Sequence, residues 1–123
     1  MDPALHLVDE TWIDAPPEQV RPAVHDRDNW TRWWPDLELS VLRDRGIKGC
    51  QWTASGAYSG TVEIWLEPML GGTVLHHFLR LDPVAGLSRR GLAARRREFA
   101  RSSKQSFWRL KDALEGGAAA GGR

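Results

Sequence analysis

The chain has 123 residues, of which 27% are charged and 41% are hydrophobic, so it fits one folded domain and is not disordered throughout. No apolar run approaches the roughly 18 to 20 residues that span a bilayer, and no basic segment followed by an apolar one opens the chain, so we expect a cytoplasmic protein. Cys50 is the only cysteine, which excludes an internal disulfide and any zinc site that needs two thiolates.

The net charge of +1 is unevenly distributed along the chain. Residues 1–44 carry ten acids and four bases, whereas residues 84–123 carry ten bases and three acids. The simplest interpretation is that the two ends attract one another, within a monomer or across a dimer. The alternative is an anionic partner at the basic end.

The first part of the chain predicts a strand and two short helices. The alternation from Leu5 to Ile13 is typical of a strand. Prolines and an acid at residues 16–19 indicate the start of a helix that runs to about Asp26 and is bent or shortened by Pro22. A second short helix is predicted over residues 28–34, before Pro35.

Four strands are predicted next: Leu37–Asp44, Cys50–Ala54, Tyr58–Glu67 and Thr73–Asp82. Their alternation predicts an antiparallel meander with one apolar face and one face that meets solvent. The apolar face holds Leu37, Leu39, Val41, Cys50, Trp52, Ala54, Tyr58, Val62, Ile64, Leu66, Leu75, His77, Leu79 and Leu81. The solvent face includes Glu63, Trp65, His76 and Arg80.

A long helix is predicted from about Leu92 to Glu115, where the hydrophobic period changes to 3.6 and Gly116-Gly117 follows. Its buried stripe holds Leu92, Phe99, Phe107, Leu110, Ala113 and Leu114. We therefore expect a single domain over residues 1–115 and a disordered Gly/Ala tail over residues 116–123.

Three serines interrupt this buried stripe, namely Ser102, Ser103 and Ser106. They lie opposite a sheet face that bears Trp52, Tyr58 and His77. Missing volume beside aromatic and polar groups is typical of a ligand cavity. Alternatively, the serines permit close helix approach or donate back to helix carbonyls.

Charged and aromatic residues suggest further contacts around this cavity. Arg95 and Arg96 fall near one end of the buried stripe, where they could meet a carboxylate or phosphate at the cavity mouth or simply extend into water. The indoles of Trp12, Trp65 and Trp108 are predicted to point outward, which suggests a dimer contact or covering loops, with lone surface tryptophans as the alternative.

Few residues suggest catalysis. His76 and His77 are adjacent on one strand and face opposite ways, so they cannot hold one metal ion, and no cofactor-binding motif occurs, so we expect neither metal nor cofactor. His77 or Tyr58 could assist proton transfer, although a hydrogen-bonded core histidine is the alternative. Residues 89–111 include nine Lys or Arg, but the phenylalanines among them face the core, so we expect no nucleic-acid binding.

Two segments, Ile13–Val20 (IDAPPEQV) and Asp28–Pro35 (DNWTRWWP), resemble the opening of the START-like, Bet v 1-like (SRPBCC) superfamily in its bacterial polyketide cyclase/dehydrase and lipid-transport form. Residues 60–68 and 72–76 resemble its last hairpin before the long helix. The resemblance implies a hydrophobic cavity between sheet and helix without implying catalysis. Only four strands follow Trp34 where that superfamily usually has six, so this is a compact variant with a smaller or more open cavity, or with a sheet edge covered by a second subunit.

The expected architecture is an α+β helix-grip, in which a curved antiparallel sheet of about five strands wraps around the C-terminal helix. The leading hypothesis is binding of a small hydrophobic or aromatic, lipid- or polyketide-like ligand; the alternatives are a polyketide aromatase/cyclase-type enzyme and a partner-binding or assembly protein, with a homodimer also considered. The arginine-rich composition suits an actinobacterium. The expected cavity residues are Trp34, Trp52, Tyr58, Ile64, His77, Leu79, Phe99, Ser103, Ser106 and Phe107.

Overall fold

A computed structural model describes residues 3–121 of the chain, with side chains to residue 116. It contains an antiparallel sheet, two short helices and one long helix, in the α+β arrangement predicted from the sequence. The elements in chain order are β1 (Leu5–Ile13), α1 (Pro17–Val24), α2 (Arg27–Trp33), β2 (Leu37–Asp44), a 3-10 turn (Gly46–Lys48), β3 (Gly49–Gly56), β4 (Tyr58–Met69), β5 (Gly72–Pro83) and α3 (Arg89–Gly121).

The five strands form one sheet in the order β1-β5-β4-β3-β2, with every neighbouring pair antiparallel. The first and last strands of the chain are neighbours in the sheet, because β1 pairs with β5 along the whole length of β1, from Leu5 opposite Leu81 to Ile13 opposite Thr73. This order leaves β1 and β2 as the two edges.

The inner face of the sheet is buried, as the alternation predicted. The predicted residues on β3, β4 and β5 are all buried, and eight of them have no exposed surface: Cys50, Trp52, Val62, Ile64, Leu75, His77, Leu79 and Leu81. Val41 on the edge strand β2 departs from the prediction, since 46% of it is exposed. The apolar pattern of β2 therefore extends beyond the part of the sheet that the helices cover.

The two short helices follow the predicted start and stop signals. Pro16 precedes α1 and Pro17 occupies its first turn, where a missing backbone N–H costs little. The helix accommodates Pro22 but ends at Val24, two residues earlier than predicted. The side chain of Asp26 then caps α2 by accepting from the backbone N–H of Asp28 at 3.0 Å.

The long helix α3 is longer than predicted at both ends. It begins at Arg89 rather than Leu92 and continues through Gly116-Gly117 to Gly121. The helix thus extends past the predicted end near Glu115. The predicted disordered tail concerned residues 116–123, of which Gly122 and Arg123 lie outside the described residues.

Three cations of α3 cover the free edge of β1. Arg96 donates its Nε to the carbonyl oxygen of His6 at 3.0 Å, Lys104 donates to that of Glu10 at 2.6 Å and Lys111 donates to that of Trp12 at 2.9 Å. Lys104 also donates to the carboxylate of Asp9 and the hydroxyl of Thr11. The acidic first segment and the basic last segment thus attract one another within the chain.

None of the described helices combines the length and the hydrophobicity that a bilayer crossing would require.

Candidate functional site

The space between the sheet and α3 is occupied by an aromatic cluster. Trp34, at the end of α2, is fully buried and lies 5.2 Å from Trp52 on β3 and 5.6 Å from His77 on β5 between ring centroids. Phe107 of α3 meets His77 edge-on at 5.0 Å. These rings come from four different elements, so the cluster joins both short-helix and long-helix packing to the sheet.

His77 is held as a neutral imidazole inside this cluster. The indole Nε1 of Trp34 donates to His77 Nε2 at 3.0 Å, and complete burial lowers the pKa of His77 from about 6.5 to about 3. A neutral ring that accepts at Nε2 carries its proton on Nδ1. The hydrogen-bonded core histidine considered from the sequence is therefore what the structure shows.

Two buried N–H groups of the cluster have no hydrogen-bond partner among the described residues. They are the indole Nε1 of Trp52 and the Nδ1 of His77. An unpaired buried donor costs roughly 1 to 3 kcal/mol, so most native structures provide an acceptor. Both groups belong to rings that contact Trp34, and an oxygen acceptor would give either N–H group a hydrogen-bond partner.

The serines of α3 have separate environments. Ser103 is buried and donates its hydroxyl to the carbonyl oxygen of Phe99, one turn earlier, at 2.6 Å. This is the alternative in which a serine donates back to a carbonyl of its own helix instead of offering its hydroxyl to a ligand. Ser106 is half-buried, whereas Ser102 is exposed. The hydroxyl proton of Ser103 is thus committed to the helix.

The remaining predicted cavity residues are part of the packed core. Tyr58 is buried and its ring meets Phe99 edge-on at 5.3 Å. Ile64 and Leu79 are fully buried on adjacent strands. Trp33, which the sequence placed only in a short helix, lies 5.4 Å from Phe107 and fills part of the space that the small serines leave.

An open cleft of about 340 Å³ lies beside this cluster, between α3 and the segment that joins α2 to β2. Its floor is formed by the buried rings of Trp33 and Phe99. Its rim is polar and contains Pro35, Asp36, Glu98, Arg101, Ser102 and Gln105. Among the predicted cavity residues, Phe99 borders this cleft.

Of the rim residues of α3, Ser102 was singled out from the sequence, whereas Glu98, Arg101 and Gln105 were missed although a signal for them exists. Glu98, Arg101, Ser102 and Gln105 recur at intervals of three, four and seven residues, which places them on one helix face. That face borders the buried stripe of Phe99 and Phe107. A polar stripe beside an apolar one marks the margin where a helix leaves the core.

Arg95 and Arg96, predicted to lie at a cavity mouth or to extend into water, are both exposed. Arg95 pairs with Glu98 at 2.8 Å, and this hydrogen bond raises the already high pKa of its guanidinium. Arg96 donates to the carbonyl of His6 at the sheet edge. Neither side chain is among those that line the cleft, whereas Arg101 lies at its rim.

The outer face of the sheet is more apolar than predicted. His76 is 8% exposed, with its ring stacked on Trp65 at 4.3 Å and near Phe78 at 6.4 Å. Its two nitrogens face the carboxylates of Glu10 at 3.4 Å and Glu67 at 3.0 Å. The prediction that this whole face meets solvent is therefore wrong at His76, because large neighbours on β4 and β5 shield it.

A broad groove of about 1130 Å³ runs over this outer face toward the 3-10 turn. It is lined by apolar and charged side chains, including Leu42, Ile47, Trp65, Met69, Phe78 and Arg80. Trp12 and Trp108 lie outside it and are 40% and 53% exposed. Each of these two indoles is covered in part by a lysine of α3.

Comparison with known proteins supports the architecture. No family model and no curated protein sequence matches the chain. Among solved structures, the Aha1 dimer from Colwellia psychrerythraea aligns with a TM-score of 0.62 at 17% identity, over 90% of this chain and 96% of that one. CalU16 from Micromonospora echinospora aligns with a TM-score of 0.55 at 15% identity, over 94% and 86%.

A third similar structure, Ara h 8.0201, has a TM-score of 0.52 at 11% identity, over 90% of this chain and 97% of that one. These neighbours share a sheet that grips a long C-terminal helix. The chain therefore has the START-like, Bet v 1-like helix-grip fold. The resemblance read from residues 13–20 and 28–35 is confirmed at the level of the fold.

Proposed function

We propose that the protein binds a small hydrophobic or aromatic ligand on the helix side of its sheet, through the cleft between α3 and the Trp33–Asp36 segment. The two unpartnered N–H groups of Trp52 and His77 carry this proposal, because an apolar cluster with buried donors suits an apolar molecule that bears an oxygen acceptor. A lipid- or polyketide-like ketone has that chemistry.

The cleft lies beside this cluster, although neither Trp52 nor His77 is among the residues that line it. Its floor residue Trp33 contacts Phe107, and Phe107 contacts His77, so a chain of aromatic side chains leads inward from the surface. A volume of about 340 Å³ accommodates a small ligand. The polar rim of Glu98, Arg101 and Gln105 would remain in contact with water and with the exposed end of the molecule.

Binding is favoured over catalysis by the state of His77. A pKa near 3 leaves its ring uncharged at neutral pH and makes it a poor proton acceptor, which weakens the aromatase/cyclase alternative as far as that alternative depends on His77. The role of Tyr58 in assisting proton transfer stays a prediction from the sequence. A cytoplasmic location and an actinobacterial source also stay predictions from the sequence.

A second candidate function is partner binding at the outer groove. Exposed apolar side chains at its margin favour it, since Ile47 and Met69 are each 42% exposed and Leu70 is 92% exposed. The Aha1 neighbour is described as a dimer, which makes a second copy of this chain one partner to test. The two candidate sites lie on opposite faces of the sheet and are separable by mutation.

Native and denaturing mass spectrometry of freshly purified protein tests ligand binding directly. We expect an added mass of a few hundred daltons that is lost on denaturation. Titration with the probe 1-anilinonaphthalene-8-sulfonate should show saturable fluorescence, and Ser102→Trp should weaken its binding about tenfold or more by filling the cleft. Arg97→Trp, on an exposed part of α3 outside the cleft, is the matched control.

The same titration separates the two candidate sites. If Met69→Asp abolishes probe binding while Ser102→Trp leaves it intact, the outer groove is the site and the cleft proposal is wrong. Absence of both an adduct and saturable probe binding would also refute ligand binding in the cleft.

A further inference from the structure

The two edges of the sheet are treated differently by the rest of the chain. At β1, cations of α3 bond to the carbonyl oxygens of His6, Glu10 and Trp12. At β2, hydrogen bonds from the backbone of residues 38–43 reach only β3 within the described part of the chain. An uncovered strand edge is a template for pairing with another strand.

Within residues 38–43, and apart from the bulged Leu42, the side chains of β2 are apolar on one face and polar or charged on the other. A bulge between Val41 and Arg43 sets this pattern, because Leu42 is left without a partner on β3. Val41 pairs with the inward Trp52, and Arg43 pairs with the outward Gln51. Leu39 and Val41 therefore share the inner face, whereas Glu38, Ser40 and Arg43 share the outer face.

This sequence is complementary to itself when it is reversed. With Ser40 placed opposite Ser40 of a second copy, Leu39 lies opposite Val41 and, across the bulge, Glu38 lies opposite Arg43. Each opposed pair then consists of residues on the same face, as an antiparallel ladder requires. Neither Glu38 nor Arg43 forms an ion pair within residues 3–121, so both charges are free for this contact.

We propose that the protein forms a two-fold symmetric homodimer in which β2 pairs antiparallel with β2 of a second copy, centred on Ser40. The contact continues the sheet from one copy into the next and satisfies the edge N–H and C=O groups of both. It places Val41, which is 46% exposed, against Leu39 of the second copy. Two Glu38–Arg43 pairs flank the symmetry axis and fix the register.

Charge exchange across the axis gives a test that leaves the fold intact, because both charged side chains are exposed. Analytical ultracentrifugation of the full chain should show a concentration-dependent dimer. Glu38→Arg and Arg43→Glu each create two like-charge pairs and should raise the dissociation constant about tenfold or more. The double variant Glu38→Arg/Arg43→Glu should restore the wild-type value.

Mixing the two single variants sharpens the test. In the proposed register a Glu38→Arg chain and an Arg43→Glu chain present opposite charges at both pairs, so native mass spectrometry should detect mainly heterodimers. Arg97→Glu, on an exposed part of α3 outside both the cleft and the outer groove, is the matched control and should dimerise as wild type does.

Several results would overturn the proposal. A monomer at every accessible concentration would do so. So would a dimer that is insensitive both to Glu38→Arg and to Val41→Lys, which puts a charge at the apolar pair near the axis. A dimer weakened by the single variants but not restored by the double variant would refute the register and with it the proposed interface.

Discussion

Replacing His77 by glutamine should flatten the pH dependence of stability below neutrality. In the folded protein burial lowers the pKa of His77 to about 3, whereas in the unfolded chain it returns to about 6.5. Between these values the unfolded state binds one more proton than the folded state, so acidification favours unfolding. The stability that this neutral ring contributes is fully present above pH 6.5 and is lost as the pH falls toward 3.

The size of the effect follows from linkage. Each pH unit in this window costs about 1.4 kcal/mol of unfolding free energy, or about 2 kcal/mol between pH 6.5 and pH 5. Urea denaturation of wild type and His77→Gln at several pH values measures it. Glutamine accepts a hydrogen bond from Trp34 but does not titrate, and the other three histidines are unchanged in both proteins.

Subtracting the two curves of unfolding free energy against pH isolates the titration of His77, because any pH-independent effect of the substitution on stability changes only the height of the curve. The wild-type curve should fall more steeply with acid by about 1.4 kcal/mol per pH unit. Parallel curves over pH 6.5 to 5 would show that His77 gains no unfolding-linked proton, and the description of a dry, neutral imidazole in the core would then be wrong.

Two further predictions concern the sheet and its cover. Lys104→Met should lower the unfolding free energy by about 1 to 2 kcal/mol in urea titrations, because three acceptors on β1 lose their donor. The control Arg97→Met, at an exposed position, should have little effect. Equal losses in the two variants would contradict the conclusion that Lys104 stabilises the edge of β1. Gly60→Ala should cost about 2 to 4 kcal/mol, since φ is +148° and an added Cβ would collide with the carbonyl of the next strand. Gly46→Ala, at φ +59° with nothing within 4 Å, should cost only about 1 kcal/mol, and a smaller loss at Gly60 than at Gly46 would contradict the reasoning.

The strands and their inner face could be predicted because one buried face imposes a period of two. His77 and Trp52 fall on that face in sequence and in structure, where both are fully buried. The pattern fails at Val41, where the inner face continues past the helices, and at His76, where the outer face carries rings large enough to bury a neighbour. Both departures arise from contacts between elements, and the alternation along a single strand carries no information about such contacts.

The packing between sheet and helix was harder to predict for the same reason. Small serines on the stripe of α3 suggested an open space, but Trp33 comes from α2 to contact Phe107. Ser103 meanwhile bonds back to its own helix. The position of α3 along β1 also brings Arg96 to the carbonyl of His6 rather than to the cleft. Volume that appears missing from one element can be filled by another that is distant in sequence.

Shortening a helix-grip sheet has opposite consequences at its two edges. At β1 the long helix supplies donors to alternate carbonyls, using two of the three lysines in the chain, so this edge is closed within one copy. At β2 no element provides such donors among the described residues, while Val41 and Leu42 stay 46% and 58% exposed. Sheet edges are commonly protected by charge or by a bulge, and β2 has both. Because Glu38 and Arg43 carry opposite charges and lie on either side of Ser40, the proposed two-fold register places unlike charges opposite one another.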